Sequence, residues 1–381
     1  MIVTSAIWLA FVAVALWPPF RRGPLGFAVF VITMTFNEIP AIPLLAFVTS
    51  IVFAGRPSGA LETVLAVGLV GATSAGLVWL QMRAHDARGA FEAGLDERLG
   101  EGWRSVLRAE RLRGSLLPTP WAAGILLPFP RRGRGVMRSR NLRYGPHRAH
   151  TVDVYRAVAG PGARPVLIHL HGGGFVSGRK SRESVALLNR LATDGWLCLS
   201  ANYRLRQDGL HPNPLIDVKR LIAWTRENAD ELGADSSSVF LAGCSAGAHL
   251  AVSAALTWDG DGLQPGFEAA DARVAGVIAF YGYLGPRTAD PSSSPRLLAR
   301  SDAPPMLIVH GTNDTAVPVE DVRAVAADLD RASRQPVVFV ELPQTQHSFD
   351  RFASVRSRVA ADAAETFLLW ARRGPEERLN G

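Results

Sequence analysis

Apolar positions along the chain fall into two unlike patterns. Over residues 1–82 they form three near-continuous runs with no polar face. IVTSAIWLAFVAVALW begins at Ile2 and stops before Pro18, Pro19, Arg21 and Arg22. The second run covers Leu25 to Ala54 and is interrupted by Asn37, Glu38, Pro40 and Pro43; the third, LETVLAVGLVGATSAGLVWLQ, runs from Leu61 to Gln81. A bilayer core of about 30 Å takes roughly 20 mostly apolar residues in helix. The first and third runs meet that requirement. The prolines make the second either one kinked span or a re-entrant pair of short helices. A cleaved signal peptide is disfavoured, because no Lys or Arg precedes the first run and no small-x-small site follows it. Residues 1–82 therefore read as a membrane region of about three transmembrane helices.

From Val136 the pattern changes to strand, turn, helix, repeated. VMRSRNLRYG and HTVDVYRA alternate with period two and read as a hairpin. RPVLIHLHGGGF and WLCLSANYRL are short continuous apolar runs, the pattern of strands buried on both faces. SVFLAGCSAG, VAGVIAFYGY, PPMLIVHGTND and QPVVFVELP add further strands, separated by amphipathic helices such as LIDVKRLIAWTRENADEL and VEDVRAVAADLDRAS. Strands alternating with helices predict an α/β domain over residues 136–373, a mostly parallel sheet of about eight strands with helices on both faces. Between the two regions, residues 83–135 mix polar and apolar positions and carry Arg98, Arg104, Arg108, Arg111, Arg113 and the RRGRG stretch from Arg131. They read as a basic linker or cap-like segment, either solvated or resting on anionic headgroups. Trp103, Trp121 and Phe129 are candidates for an interface or a pocket entrance.

Composition agrees with this division. Of 381 residues, 48% are apolar, and the excess lies in the N-terminal runs. The net charge of +7 is carried almost wholly by arginine, with Lys180 and Lys219 the only lysines. No nucleic-acid-binding motif accompanies that charge. The two cysteines, Cys198 and Cys244, exclude a disulfide scaffold and sit in apolar strands as small buried side chains.

The chemistry is concentrated after the strands. Gly243-Cys244-Ser245-Ala246-Gly247 is a G-x-S-x-G sequence between a strand and a helix. That context makes a sharp turn that exposes a serine hydroxyl above the sheet, at a helix N-terminus that favours developing negative charge. His171-Gly172-Gly173-Gly174 follows another buried strand. Its glycines leave backbone N–H groups free to approach an oxyanion, and the spacing does not match a phosphate-binding G-x-x-x-x-G-K-[ST] loop. A serine nucleophile needs an imidazole base and a carboxylate to orient it, in the chain order Ser, Asp or Glu, His for this fold class. Downstream of Ser245 the histidines are His249, His310 and His347. His347 follows the last strand, where a loop can return over Ser245, and Asp314 lies on the loop after the preceding strand. Glu320 and Asp321 fall in the next helix. His310 is expected to shape the Asp314 loop, and His249, one turn after Ser245, to point away from it.

HGGGF, NYRL (Asn202 to Leu205), GCSAG, HGTND and HSF, in this order, resemble the hormone-sensitive-lipase-like branch of the α/β-hydrolase superfamily, and in particular actinobacterial, mycobacterial-type esterases with membrane-spanning N-termini. The resemblance covers about Val136 to Arg372. It implies Ser245 as nucleophile, Asp314 as acid, His347 as base, and an oxyanion hole drawn from the amides of Gly172, Gly173, Gly174 and Ala246, with no metal or cofactor. The sequence departs from the pattern at Cys244, where many relatives carry Asp, at Ala248, where many carry a second glycine, and in HGTNDTAVP, which replaces an Asp-Pro-Leu form. The implied activity is hydrolysis of a small-molecule or lipid carboxylic ester at a membrane. An acyltransferase or an arylformamidase-type amide hydrolase would use the same triad, and a non-enzymatic membrane scaffold is the remaining alternative. The positive-inside tendency puts Arg21-Arg22 and the arginines after Arg83 on one side, which with three spans makes a multi-pass protein of the cell inner membrane with a cytoplasmic catalytic domain.

Overall fold

The computed structural model describes residues 1–158 and 162–374. Its C-terminal region is built on an eight-stranded sheet, ordered β1-β2-β4-β3-β5-β6-β7-β8. The strands are β1 (Val136–Arg143), β2 (Thr151–Ala157), β3 (Arg164–Leu170), β4 (Leu197–Ala201), β5 (Ala234–Cys244), β6 (Gly276–Phe280), β7 (Met306–Gly311) and β8 (Val337–Leu342). The expected hairpin is β1–β2; β2 also pairs antiparallel with β4, and the other neighbours are parallel.

Seven helices precede the sheet: α1 (Ile2–Leu16), α2 (Gly23–Glu38), α3 (Ala41–Phe53), α4 (Ala60–Met82), α5 (Asp86–Leu99), α6 (Gly102–Arg111) and α7 (Trp121–Leu126). Among the described residues six more α-helices lie between or after the strands: α8 (Val185–Thr193), α9 (Asn213–Glu227), α10 (Ala229–Leu232), α11 (Ala246–Leu256), α12 (Val319–Ala332) and α13 (Val355–Ala371).

The strand period of two sorts side chains between two cores. Val166, Ile168 and Leu170 of β3, Val239 and Leu241 of β5, and Met306 and Ile308 of β7 pack with α9, α11 and α12. Their alternates, Leu167, Phe240, Ala242, Leu307 and Val309, pack with α5, α6, α8 and α13. The 83–135 segment therefore differs from the expected linker: α5 and α6 are part of this second layer. Phe91, Leu95 and Trp103 are fully buried there, and the Trp103 indole donates to Asp96 at 2.9 Å. Its arginines are largely consumed within the protein. Arg104 pairs with Asp96, Arg111 with Glu365 and Arg113 with Asp362, the last two carboxylates lying on the buried helix α13.

The N-terminal helices build a small core of their own, from Val12, Ala15, Phe47, Leu77 and Leu80. Much of their outer surface is apolar and open, including Val3, Leu45, Val52, Phe53, Leu61 and Val64. Among the described residues one continuous helix, Ala60–Leu99, is long and apolar enough to cross a membrane; α2 and α3 meet that test only as a pair bent by 92°, and α1 is shorter. The second run is thus two short helices joined at a sharp bend, a form common to a broken span and a re-entrant pair. The bend falls at Ile39 and Pro40, where α2 stops and α3 begins.

The direction of these helices follows from their contacts. The N-terminal amine reaches the Gly55 carbonyl at 3.4 Å, beside the start of α4, while the far end of α1, at Val12 and Ala15, packs with Leu77 and Leu80 near the end of α4. Helices α1 and α4 thus run the same way, both toward the sheet domain. Helix α2 instead lies against that domain along its length. Arg22 pairs with Asp321 at 3.0 Å. Gly26 sits so close that a Cβ there would lie 2.5 Å from the Thr315 carbonyl. At the other end of α2, Glu38 accepts from Ser354 at 2.9 Å and faces Arg356 at 3.4 Å, with both charged side chains buried.

Candidate active site

The turn after β5 is compressed as its sequence requires. A Cβ on Gly243 would lie 2.2 Å from the Gly247 carbonyl, and one on Gly247 would lie 2.1 Å from that of Leu170. Between them Ser245 has φ 52° and ψ −115°, a conformation that L side chains rarely adopt. Its amide donates to the Phe280 carbonyl of β6 at 3.0 Å, which fixes the turn to the sheet and leaves the hydroxyl at the start of α11.

Ser245, His347 and Asp314 come together across 102 and 33 residues of separation. Ser245 Oγ lies 3.1 Å from His347 Nε2, and His347 Nδ1 lies 2.6 Å from Asp314 Oδ2. Asp314 is buried, and its other oxygen accepts from the amides of Ala316 and Val317 at 2.9 and 2.8 Å. Burial opposes its ionisation, but the charge of His347 and the hydrogen bonds from His310 and His347 outweigh it, so the carboxyl is held well below its ordinary value. His310 Nε2 lies 3.1 Å from Asp314 and 2.8 Å from the Val317 carbonyl, shaping that loop as expected. His249 Nδ1 is turned to the Tyr283 carbonyl at 3.0 Å, and burial pushes that imidazole down to about 3. Glu320 and Asp321 lie in the first turn of α12.

The glycine loop corrects one expectation. The Gly172 amide already donates to buried Glu183 at 2.6 Å, so it is not free to meet an oxyanion. Gly173, Gly174 and Ala246 line a pocket of about 840 Å³ with Ser245 and His347, and Gly172 does not. His171 supports the loop from behind: its ring stacks on Tyr203 at 4.4 Å, and the Tyr203 hydroxyl donates to the His171 carbonyl at 2.7 Å.

Two features of the site escaped sequence reasoning. One is a buried polar knot under the turn. Asp350 accepts from the Tyr281 and Ser184 hydroxyls and, at 3.2 Å, from the Cys244 thiol. Burial, followed by the nearby charge of Glu183, raises the Asp350 carboxyl. Cys244 thus packs as a buried side chain and also donates to a carboxylate that arrives from the His347 loop. The other is helix α2. Its Phe27, Phe30, Val31 and Met34 line the same pocket as Ser245, and the Phe30 ring meets the His347 imidazole edge-on at 5.2 Å. Phe27 and Val31 are also more than half exposed, so the pocket opens beside an apolar helix. The available signal was Asn37 and Glu38 within an apolar run, polar groups that need partners if buried.

A mostly parallel α/β sheet domain with a strained serine on its strand-to-helix turn defines a class, the α/β hydrolases, and comparison with known proteins agrees. The BD-FAE family profile matches residues 152–288. The chain is 35% identical over 334 residues to "Probable carboxylic ester hydrolase LipM" of Mycobacterium tuberculosis, covering 79% of this chain and 77% of that protein. It is 34% identical over 279 residues to "Esterase LipC" of the same organism, covering 66% and 68%. Among solved structures it is similar to a thermophilic esterase of the planctomycete Thermogutta terrifontis with butyrate bound, with 25% identity, a TM-score of 0.54, and 63% and 97% of the two chains covered. The chain belongs to the α/β-hydrolase family of carboxylic ester hydrolases that includes these mycobacterial esterases.

Proposed function

We propose that the protein is a membrane-anchored esterase that works through Ser245, His347 and Asp314. The observation that carries this reading is the unbroken chain from Ser245 Oγ to His347 to Asp314, at 3.1 and 2.6 Å. Asp314 holds the imidazole with Nδ1–H donating to it, which leaves Nε2 to take the serine proton. Ser245 Oγ attacks the acyl carbon while His347 receives that proton. The tetrahedral oxyanion is stabilised by the amides of Gly173, Gly174 and Ala246. His347 then protonates the alcohol oxygen and the acyl C–O bond breaks. Water, deprotonated by His347, attacks the acyl-enzyme, releases the carboxylic acid and restores Ser245. A series of nitrophenyl esters of increasing chain length, with wild type and Ser245→Ala, tests this reading. Turnover by the wild type and its loss in the variant are expected; equal turnover by both overturns it.

The membrane arrangement we infer has three crossings. Helix α1 enters toward the catalytic side, α3 returns and α4 enters again, while α2 lies at the membrane surface as the roof of the active site. Its support is the pairing of Arg22 with Asp321, the placement of Met1 beside Gly55, and the open apolar faces of these helices. At about 1.5 Å per residue α1 and α3 reach only about 22 and 20 Å, so they sit in a thinned bilayer or end within it. Arg21 and Arg22 then share a side with the catalytic domain, which the charge rule makes cytoplasmic. A pocket roofed by α2 suits ester substrates whose hydrocarbon partitions into the bilayer.

A further inference from the structure

The pocket around Ser245 is apolar on its α2 side and carries four arginines among the glycine and apolar residues of its other walls. Arg182, Arg206, Arg287 and Arg351 all line it, and Glu183 is the one carboxylate among the described lining residues. Glu183 is already engaged, accepting from Arg182 at 2.6 Å and from the Gly172 amide. Arg206, Arg287 and Arg351 make no ion pair with any described residue. Arg287 is the most firmly held of the three. Its guanidinium lies over the Phe175 ring at 3.5 Å from the centroid, and Nη2 donates to the Gly209 carbonyl at 2.8 Å. Nη1 is buried with no partner. Arg206 is tied to the same segment, its amide donating to Phe175 O at 2.8 Å and its Nε to Val176 O at 3.1 Å. Phe175 directly follows the glycine loop, so both arginines are anchored to the segment that carries the amides proposed to meet the oxyanion.

The positive charge continues outward. A neighbouring groove of about 640 Å³ shares Arg182 and Arg351 with the catalytic pocket and adds Arg132, Arg138, Arg140 and Arg179. Arg138 is neutralised by Asp153, but Arg132, Arg140 and Arg179 make no ion pair with any described residue. Like charges gathered in a cleft repel one another and focus the field on whatever enters. A planar guanidinium with unused donors matches the paired oxygens of a phosphate or carboxylate. A neutral ester would leave that charge without a counterpart.

We propose that the catalytic pocket takes an amphiphilic ester bearing a phosphate or carboxylate, with its hydrocarbon against Phe30 and Met34 of α2 and its anionic group on Arg287, Arg206 and Arg351 contributing charge. The proposal rests on the esterase reading above and adds the substrate class. The reaction is ordinary hydrolysis: the acyl C–O bond breaks, water supplies oxygen and hydrogen, and the anionic group leaves unchanged on the alcohol.

The test compares two short-chain esters on the full chain in detergent, a 1-acylglycerol and the 1-acylglycerol 3-phosphate with the same acyl group. Wild type is expected to favour the phosphate-bearing ester in kcat/KM by about tenfold or more, or ~1.4 kcal/mol, and added sodium chloride is expected to shrink that ratio. Arg287→Gln is expected to bring the ratio near one, with Arg287→Lys intermediate. Turnover of both esters at equal rates by wild type overturns the subsite and leaves the esterase reading standing, and turnover of neither overturns both. A ratio unchanged in Arg287→Gln also overturns the proposal. Should that variant fail to fold, the wild-type ratio and its salt dependence decide. Inorganic phosphate separates the sources of the anion: competitive inhibition of 1-acylglycerol hydrolysis together with a wild-type ratio of one assigns the arginines to free phosphate and overturns the substrate reading.

Discussion

Replacing Arg356 by leucine isolates what holds helix α2 over the pocket that contains Ser245. Arg356 is 2% exposed and donates from Nη1 to the Asn37 carbonyl at 2.7 Å, beside Glu38 at 3.4 Å. Leucine removes the cation and leaves the Glu38 carboxylate buried with only Ser354 as partner. Breaking one side of a buried ion pair costs about 3–5 kcal/mol. At alkaline pH, where Glu38 cannot escape by taking up a proton, that cost falls on the docked position of α2, because the carboxylate regains water by lifting off α13. At about 1.4 kcal/mol per factor of ten, the open population should rise roughly a hundredfold to a few thousandfold. Hydrogen exchange by mass spectrometry on peptides covering residues 23–38, in detergent, reads this directly, and kcat/KM for a long-chain ester should fall in parallel. The double replacement Glu38→Leu with Arg356→Leu removes both charges, and should restore most of the protection, since apolar side chains fill such sites at little cost. Unchanged exchange over α2 in Arg356→Leu, or a double variant as open as the single one, refutes the reasoning.

Asp314→Asn should lower kcat by about ten-thousandfold with the fold retained, by leaving His347 in the wrong tautomer; near-normal kcat moves the orienting role elsewhere. The Asp314 carboxyl is held below its ordinary value. Its contribution to stability is therefore complete above the usual carboxylate range of about 4 and is lost as pH falls through the folded-state value; Asp314→Asn should flatten that acid limb in thermal melts across pH. Cys244→Ala should keep substantial esterase activity and cost about 1 kcal/mol of stability, because Tyr281 and Ser184 still donate to Asp350; complete inactivation would make Cys244 part of the substrate pocket. Protease added outside sealed cells should leave the catalytic domain intact, and its digestion there contradicts the three-crossing arrangement.

The catalytic sheet was legible because its physics is local. Runs such as RPVLIHL and MLIVHG are apolar on both faces, and Gly243 and Gly247 flank a serine where no Cβ fits. His347 and Asp314 followed from chain order and strand ends. Helix α2 was harder to read, because an apolar helix has the same composition whether it faces lipid or roofs a pocket. What separates the two is Glu38 meeting Arg356, a pairing across 318 residues that no local pattern carries. The arginines of 83–135 look like a solvated stretch until Asp362 and Glu365 of α13 arrive beside them. The i, i+4 pair Phe91 and Leu95 was the available sign of a packed face. Nor can HGGG reveal which amide is consumed, because that depends on Glu183 eleven residues later.

The central claim is that Ser245 is an activated nucleophile beneath α2. The most direct measurement is to treat the full-length protein with a fluorophosphonate and map the modified residue by mass spectrometry. The account predicts a single adduct on the peptide that carries Ser245, absent in Ser245→Ala and slowed in Asp314→Asn. An adduct on another residue, or labelling that persists in Ser245→Ala, contradicts it.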